Sequence, residues 1–392
     1  MEQRFDFLVI GGGMAGASAG CELSRDGRVA VLEREDQLAV HATGRSAAIL
    51  METYGNTAIR ALTVASRRFL ASPPEGFTEE PLLTRRGTLL VAEEADQAAL
   101  RERLEAVRRL VASVEWVAGD DLGRLVPCLA PGRWAGGLFE PEAMDLDVNE
   151  ILQGFVRGLR SRGGVVRTGA GVTGLRRAAG AWTVTTTAGD FTAPVVVNGA
   201  GAWADLVGRL AGARPIGLVP LRRTAITVDA GVEPSAWPFV MDSRETFYFK
   251  PEARRLLVSP CDETPVEPCN ATPDDYDVAV AVDQLERATT LTVGHVTSRW
   301  AGLRSFVADR TPVVGPDPEV EGLVWLAAQG GYGIQTAPAL ARLCRSLALG
   351  QGVPADLAAL GLEAEALLPG RPGLRPNEPA GHEEGTPRTP RA

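Results

Sequence analysis

The chain has few of the residues from which metal sites and disulfide frameworks are built. Its 392 residues contain three histidines and five cysteines, and no two cysteines form a C-x-x-C pair. We therefore expect no zinc site of the usual kind, and the odd number of widely spaced cysteines fits a reducing compartment better than a disulfide framework. No apolar run approaches the roughly 20 residues that cross a bilayer, so we expect no integral membrane segment.

Lysine is almost absent, because Lys250 is the only one and the other 39 of the 40 basic residues are arginine. With arginine this common, a single arginine is a candidate binding residue only where the local sequence supports it. The net charge of −9 argues against a nucleic-acid partner, since phosphate backbones require a basic surface. A hydrophobic content of 45% with 23% charged residues is typical of a folded protein, and the length suffices for two or three lobes.

The two ends of the chain differ in character. Near the start, the apolar run at residues 5–10 is too short for the core of a signal peptide and no cleavage site follows it, so we expect a cytoplasmic protein. Residues 371–392 are rich in proline, glycine and charge and cannot bury a core. We predict a disordered tail there.

Residues 7–33 have the pattern of a dinucleotide-binding βαβ unit. An apolar strand precedes Gly11-x-Gly13-x-x-Gly16, a helix of small residues follows, and a second strand ends in Glu33. In such a unit the first glycine permits the turn, the second admits a pyrophosphate and the third lets helix and sheet pack closely. The pyrophosphate would lie at the helix N-terminus, and Glu33 would bind a ribose diol.

Two further strands run into glycine turns and helices, at residues 195–203 and 323–336. We therefore predict an α/β fold: a Rossmann-like FAD-binding domain of the glutathione-reductase type with an inserted, discontinuous α+β substrate domain. The predicted FAD-binding domain comprises residues 1–60, 145–215 and 305–370. The predicted substrate-binding domain comprises residues 61–144 and 216–304.

The polar, small-residue stretch His41-Ala-Thr-Gly-Arg-Ser-Ala-Ala48 favours FAD over NAD, because an NAD domain would continue here with helix and strand. Six segments in order (VIGGGMAGAS, VLERE, HATGRSAA, VVVNGAGAW, WAGLRSFVADRTPVVG and AAQGGYGIQTAPA) resemble the FAD-dependent D-amino-acid oxidase/dehydrogenase superfamily, and within it the bacterial D-arginine dehydrogenases. The resemblance spans residues from about 5 to about 368 and implies an FAD-dependent oxidoreductase.

The resemblance also implies which residues bind FAD. Residues 42–49 correspond to the loop that wraps the pyrophosphate and ribityl chain, Val172 to the backbone that meets the adenine, and residues 330–335 to the turn beside the flavin pyrimidine. The expected cofactor-binding residues are Gly11, Gly13, Met14, Ala15, Gly16, Glu33, Arg34, Ala42, Thr43, Gly44, Arg45, Ser46, Ala47, Ala48, Ile49, Val172, Gly201, Gly330, Gly331, Tyr332, Gly333, Ile334 and Gln335. Non-covalent FAD is favoured; linkage through His41, as in some related amine dehydrogenases, is the alternative.

The resemblance further implies a substrate site with no nucleophile and no metal. Arg223 and Arg304 match positions that clamp a carboxylate, a task suited to the planar guanidinium. Tyr54 and Tyr248 match tyrosines that line the substrate pocket. These four residues are the expected catalytic group. The expected substrate-binding set adds Thr88, Gly331 and Gln335.

Two positions depart from the arginine-type pattern. In the strand that we predict at residues 82–89, Thr88 stands where relatives that accept basic substrates have a glutamate. Ile49 stands where they have a histidine near the flavin. Without a carboxylate, a cationic side chain would be buried unpaired at a cost of several kcal/mol. We therefore expect a D-amino acid with a neutral or apolar side chain, which is oxidised to a 2-oxo acid and ammonia. Arg85 and Arg86 raise the alternative of an acidic side chain.

Other functions remain open at this point. A secondary amine such as sarcosine, glycine, or a 2-hydroxy acid offers the same carboxylate, although a hydroxy acid needs a general base. A non-catalytic flavin-binding protein would keep the glycine motifs but lose the paired arginines and tyrosines. An NAD-only dehydrogenase is disfavoured by the stretch from His41 to Ala48. No motif identifies the electron acceptor.

Overall fold

The computed structural model describes residues 3–229 and 231–374. Their strands are β1 (Gln3–Arg4), β2 (Phe7–Ile10), β3 (Val29–Leu32), β4 (Ile49–Leu50), β5 (Leu83–Arg85), β6 (Thr88–Ala92), β7 (Glu115–Val117), β8 (Gly136–Glu140), β9 (Met144–Leu146), β10 (Val165–Arg167), β11 (Val172–Ala178), β12 (Ala181–Thr186), β13 (Gly189–Ala193), β14 (Val195–Asn198), β15 (Val219–Asp229), β16 (Phe239–Asp242), β17 (Tyr248–Glu252), β18 (Arg255–Ser259), β19 (Thr264–Pro265), β20 (His295–Phe306), β21 (Val313–Pro316) and β22 (Leu323–Ala327). Their α-helices are α1 (Met14–Leu23), α2 (Thr57–Ala71), α3 (Gln97–Arg108), α4 (Asp120–Leu125), α5 (Val148–Ser161), α6 (Ala204–Leu210), α7 (Asp275–Ala288), α8 (Gly333–Ala348) and α9 (Ala355–Ala358).

The first sheet has the strand order β10-β3-β2-β14-β22-β21, and its ladders are parallel except for the last pair. Strands β2 and β3 are buried on both faces, as continuous apolar runs in a parallel sheet should be. Helices α1, α5 and α8 cover one face with Leu23, Leu159 and Leu340. A small sheet, β1-β13-β12-β11, covers the other face with Trp182 and Phe191. This α/β architecture is the predicted fold.

The second sheet has the order β19-β15-β18-β17-β16-β6-β8-β7, and β20 pairs with β15 outside this path. One face packs on α7, where Leu285 joins the apolar cluster of Phe249 and Val258. The opposite face carries Met241 and Tyr248 and is continuous with Met51, which follows β4. This second face therefore looks toward the first lobe.

A third sheet, β4-β9-β5, connects the lobes. Near it, the boundary predicted at residues 60/61 falls inside α2, whose buried residues Leu62 and Ala65 pack in one cluster with Leu340 of α8. By these contacts α2 lies with the first sheet, and the helix ends before the Pro73-Pro74 pair.

Two local predictions also differ from the structure. A single strand at residues 82–89 is interrupted at Gly87, whose φ of +72° ends β5 and starts β6. Within the segment expected to be a disordered tail, Arg371 is described, and its guanidinium donates to the Asp309 carboxylate at 2.7 and 2.9 Å. Residues 375–392 lie outside the described residues. In the described part of the chain, none of the helices combines the length and apolarity that crossing a bilayer requires.

Candidate active site

A cavity of about 660 Å³ runs between the carboxyl ends of the first sheet and the inner face of the second. Ligands of open α/β sheets bind at this edge. The cavity gathers most of the residues expected to bind FAD, although they come from six separate stretches of sequence. The expected residues that line it are Gly11, Gly13, Met14, Ala15, Glu33, Arg34, Ala42, Thr43, Arg45, Ser46, Ala47, Val172, Gly201, Gly330, Gly331, Gly333 and Ile334.

The glycine turn after β2 has the close approaches that the motif predicts. A Cβ on Gly16 would lie 1.8 Å from the Gly11 carbonyl oxygen, so Gly16 lets α1 pack on the turn rather than lining the cavity. Gly11 has φ of +107°, and its own Cβ would lie 2.4 Å from the Gly199 oxygen. Helix α1 begins at Met14 without a side-chain cap, and the Met14 N–H donates to Thr43 Oγ1 at 3.0 Å. The cavity thus meets a helix N-terminus suited to an anion.

Glu33 is held in place by the backbone around it. Its Oε2 accepts from the Gly12 N–H at 2.6 Å and its Oε1 accepts from the Glu35 N–H at 2.9 Å. Each carboxylate oxygen has a second lone pair, so Glu33 retains acceptor capacity for a diol. Its side chain is buried and lines the cavity.

The loop expected to wrap the cofactor crosses the cavity and is tied to the second sheet by Arg45. The Arg45 Nη1 donates to the carbonyl oxygens of Ala271 at 2.8 Å and Ala301 at 2.9 Å, and its Nη2 bonds the Asn270 side chain. Ala48 has φ of +50°, a strained value for a residue with a Cβ. Gly44 does not line the cavity; instead, a Cβ there would lie 2.4 Å from the Ala39 oxygen.

His41 also lines the cavity, where its ring contacts Trp203 at 4.7 Å between centroids. Its Nε2 bonds Glu35 Oε1 at 2.9 Å, and its Nδ1 is buried without a partner. Because the Glu35 carboxylate accepts bonds from His41 and Arg34, the pKa of Glu35 is lowered. Glu35 therefore stays ionised and orients the imidazole.

The turn before α8 lines the large cavity where the flavin is expected. Gly330 has φ of +52°, and a Cβ on Gly331 would lie 2.8 Å from the Arg304 Cζ, so only glycine lets this turn meet the guanidinium. Gln335 faces the loop after β4: its Oε1 accepts from the Met51 N–H at 3.2 Å and its Nε2 donates to Thr63 Oγ1 at 2.9 Å. Tyr332 lines neither cavity.

A smaller cavity of about 40 Å³ adjoins the large one and shares Arg223, Tyr248 and Arg304 with it. Tyr54 lies only in the smaller cavity. In the β15·β20 ladder, Arg223 is opposite Gly302 and Leu221 is opposite Arg304. Directly opposed residues, and residues two apart, point to the same face, so both arginines project together into the smaller cavity. Ala48, Ile49 and Gln335, expected at the cofactor, also line it.

The two arginines differ in how their charge is balanced. Arg223 donates to the Asp262 carbonyl oxygen at 3.0 Å and forms an ion pair with Glu263 at 3.2 Å. Arg304 has no hydrogen bond or ion pair with any residue that the structure describes. Burial would lower the pKa of Arg304, but the nearby Tyr54 and Tyr248 raise it above its usual value, so the guanidinium stays charged. A free, enclosed cation is left facing the smaller cavity.

Arg222 precedes Arg223 in the sequence and therefore lies on the opposite face of β15. Its Nη2 bonds Asp277 of α7 at 2.7 Å. The charge of Arg222 is thus used in joining α7 to the sheet.

Two tyrosines line the smaller cavity together with Arg304. Tyr54 contacts Tyr332 at 5.0 Å and Tyr248 stacks on Phe239 at 5.0 Å, both between ring centroids. Burial raises the pKa of Tyr54, so its phenol remains neutral and can donate. Neither the Tyr54 nor the Tyr248 hydroxyl has a hydrogen-bond partner among the described residues. Both are available to a ligand of Arg304.

Thr88, expected to bind the substrate, lines neither cavity. It is fully buried in β6 directly beside Phe239, which forms the wall instead. Arg85 and Arg86 are also turned away: Arg85 bonds the Pro141 carbonyl and Arg86 bonds Asp145 at 2.7 Å. The break at Gly87 separates these two arginines from β6, which pairs with the strand that carries Phe239.

Sequence reasoning missed the apolar wall of the smaller cavity, formed by Met51, Phe239 and Met241. Alternation in residues 239–242 could have identified the face but not its cavity. It also missed Trp203, Leu206 and Leu210, which line the outer part of the large cavity. Their signal is the glycine turn at residues 199–201, which predicts a helix after it but not which face of that helix lines the cavity.

Comparison with known proteins decides the family. The family described as FAD dependent oxidoreductase (DAO) matches residues 6–347. The chain belongs to this family. It is therefore an FAD-dependent oxidoreductase, and FAD is its cofactor.

Individual relatives are distant. A glycine oxidase of Geobacillus kaustophilus (strain HTA426) is 25% identical over 381 residues, which cover 92% of this chain and 97% of the relative. A mitochondrial dimethylglycine dehydrogenase of Mus musculus is 24% identical and matches 91% of this chain, but the match spans only 44% of that protein. The crystal structure of glycine oxidase from Geobacillus kaustophilus superposes with a TM-score of 0.80 at 23% identity, covering 91% of this chain and 98% of that one. These matches show the family and fold, not the narrower likeness to D-arginine dehydrogenases.

Proposed function

We propose that this flavoenzyme oxidises a small, neutral amino acid through its α-carbon, with a D-amino acid of apolar side chain as the first candidate. The products are the imino acid and, after hydrolysis, the 2-oxo acid and ammonia. The observation that carries the proposal is Arg304, a charged guanidinium at the edge of both cavities that has no counter-ion among the described residues. An enclosed cation needs an anion, and an α-carboxylate supplies one with matching geometry.

The residues around the large cavity fit FAD. Gly13 and the start of α1 would hold the pyrophosphate, Glu33 the ribose, and the turn from Gly330 to Gly333 the flavin end. Bound FAD accepts the hydride that leaves the substrate α-carbon. We propose non-covalent binding, with the His41 imidazole oriented by Glu35. Precipitation in acid should then release all FAD into the supernatant, whereas a yellow pellet would show linkage to the protein.

The protein's own residues bind, orient and exclude water. Arg304 would clamp the carboxylate, assisted by Arg223 and the phenols of Tyr54 and Tyr248. The apolar wall keeps water from the α-carbon, and no acidic side chain is among the residues that line the smaller cavity. The neutral amine then needs no general base from the protein.

The residues that line the smaller cavity also support a substrate with a neutral side chain. The charged residues of the smaller cavity, Arg223 and Arg304, are both cations. A basic side chain would be desolvated without a partner, at a cost of several kcal/mol. This argument replaces the one from Thr88, and the position of Arg85 and Arg86 outside the cavity removes the reason to expect an acidic side chain.

A second candidate is glycine or an N-methylated glycine. The smaller cavity, about 40 Å³, is small, which favours a compact substrate. The names of two relatives, glycine oxidase and dimethylglycine dehydrogenase, point the same way. Since these substrates also carry a carboxylate, Arg304 would serve either candidate.

The test is anaerobic reduction of the bound flavin, followed as bleaching near 450 nm, with a panel of substrates. The panel holds D-alanine, D-methionine, D-arginine, L-alanine, glycine, sarcosine and lactate. We expect D-alanine, or glycine and sarcosine, to bleach the flavin at least about tenfold faster than D-arginine, in line with the cost of an unpaired cation. Equal bleaching by D-arginine would refute the neutral side chain, and bleaching by lactate alone would refute the amine.

A further inference from the structure

One buried carboxylate, which lines neither cavity, binds the turn that precedes Tyr54. Glu140, at the end of β8, is fully buried. Its Oε1 accepts from the Glu52 N–H at 2.8 Å, and its Oε2 accepts from the Thr53 N–H at 3.3 Å and the Thr53 hydroxyl at 2.6 Å. Three donors from two consecutive residues thus converge on one side chain, immediately before Tyr54.

No basic residue in the described part of the chain forms an ion pair with this carboxylate. The nearest charged residue on the turn is Glu52, which forms its ion pair with Arg67 of α2 at 2.8 Å. Arg67 also lies 3.8 Å from Glu142. The charge of Glu140 is therefore balanced by hydrogen bonds alone. Helix α3, which packs against β8, brings a further charged pair, Arg103 with Glu245.

The turn has a second attachment on the cavity side, where the Met51 N–H donates to Gln335. The turn is thus fixed at Met51 by α8 and at Thr53 by Glu140, and Tyr54 follows directly. Tyr54 stands in the smaller cavity with Arg304. A loss of either attachment would let the phenol move relative to the guanidinium.

We propose that Glu140 is a positioning residue for substrate recognition: its buried carboxylate holds the turn at residues 51–54 so that the Tyr54 phenol stays over the Arg304 guanidinium. This inference rests on the proposed function, because it takes Tyr54 and Arg304 to bind the substrate carboxylate. Glu140 itself touches neither cavity and takes no part in the chemistry.

The protonation state of Glu140 sets how firmly the turn is held. Burial raises its pKa to about 7, against the hydrogen bonds from Thr53 and Glu52, which lower it. Hydrogen bonds to an ionised carboxylate are about twice as strong as those to a neutral one. As the pH falls through this value, Glu140 takes up a proton and the grip on the two N–H groups weakens. Carboxylate binding should weaken in the same range.

The experiment measures the dissociation constant of propionate, a carboxylate without an amine that stays ionised above about pH 6. It is titrated into the FAD-loaded enzyme, and the perturbed flavin absorbance is followed between about pH 6 and 8.5. In the wild type we expect binding at pH 6 to be about three- to tenfold weaker than at pH 8.5, the loss of one charge-assisted bond. Glu140→Gln, a permanent mimic of the neutral form, should bind weakly at every pH.

Glu142→Gln is the matched control, because it makes the same change two residues away on an exposed side chain and should follow the wild type. If Glu140→Gln fails to retain FAD, Glu52→Gln is the substitute variant. Removing the like charge of Glu52 lowers the Glu140 pKa, so the inflection in propionate affinity should move to lower pH. A wild-type profile without an inflection, or one kept unchanged in Glu140→Gln or Glu52→Gln, would overturn the inference. Absence of propionate binding at any pH would overturn the proposed function instead.

Discussion

At the scale of single residues, the site depends on which charges are left without partners. Arg223 and Arg222 sit side by side in the sequence, yet both are paired, with Glu263 and Asp277. Arg304 is left free. Among 39 arginines, composition could not distinguish these three. What distinguishes them is the alternation of β15 and β20 and the carboxylates that each face meets.

Gly331 tests how close the turn before α8 comes to this cation. In Gly331→Ala the new Cβ would lie 2.8 Å from the Arg304 Cζ, so the guanidinium must move away. We expect propionate binding to weaken by about tenfold, the loss of one charge-assisted bond, with FAD retained. The measurement is the propionate dissociation constant from flavin absorbance. Gly123→Ala, where the Cβ meets open space, is the control, and an unchanged constant in Gly331→Ala would show that the turn does not limit the position of Arg304.

Glu140 should also affect stability in a pH-dependent way. Burial raises its pKa from an ordinary value near 4.5 to about 7, so its contribution to stability is present at low pH and is lost as the pH rises through 7. Between pH 5 and pH 8 the wild type should lose about 2 kcal/mol of unfolding free energy through this group. The measurement is the free energy of unfolding from denaturant curves at the two pH values. In Glu140→Gln it should lack the loss that this group causes in the wild type. A variant that loses as much as the wild type would show that Glu140 does not titrate there.

At the scale of elements, the sequence is most informative at the junctions between strands and the glycine turns that follow them. The strands at residues 7–10, 29–32 and 195–198 lie where the sequence predicts them, because buried parallel strands are continuous apolar runs bounded by glycine turns. The strand at residues 82–89 is interrupted, since Gly87 adopts a positive φ that no apolar pattern reveals.

The loop at residues 42–49 could be located from the sequence, but the contacts that anchor it could not. Arg45 ties it to the second lobe with three hydrogen bonds from its two Nη atoms, which join residues more than 200 positions apart. Arg45→Ala should free the loop and weaken FAD retention by about 10- to 100-fold, from the loss of two or more hydrogen bonds of a charged donor. The measurement is the FAD dissociation constant by fluorescence of the released flavin. Arg255→Ala, an exposed arginine of β18, is the control and should keep its FAD; an equal loss of FAD in both variants would show that Arg45 does not anchor the loop.

At the scale of the whole molecule, the two lobes form one site that neither contains alone. The first sheet supplies the glycine turns and Glu33, and the second supplies Arg223, Tyr248 and Arg304. The sequence predicts this division, since the segments assigned to the two lobes alternate along the chain. The size of the smaller cavity and its apolar wall could not be predicted, because they depend on how Phe239 and Met241 meet Met51 across the lobes.

The central claim is that Arg304 anchors the substrate carboxylate beside the flavin. The measurement that tests it most directly is propionate binding, at one pH, to the wild type, Arg304→Ala and Arg222→Ala, each with its FAD content determined. We predict that Arg304→Ala keeps its FAD but binds propionate about 100-fold or more weakly, the cost of two charge-assisted hydrogen bonds, while Arg222→Ala binds as the wild type does. Wild-type affinity in Arg304→Ala with full FAD content would contradict the account.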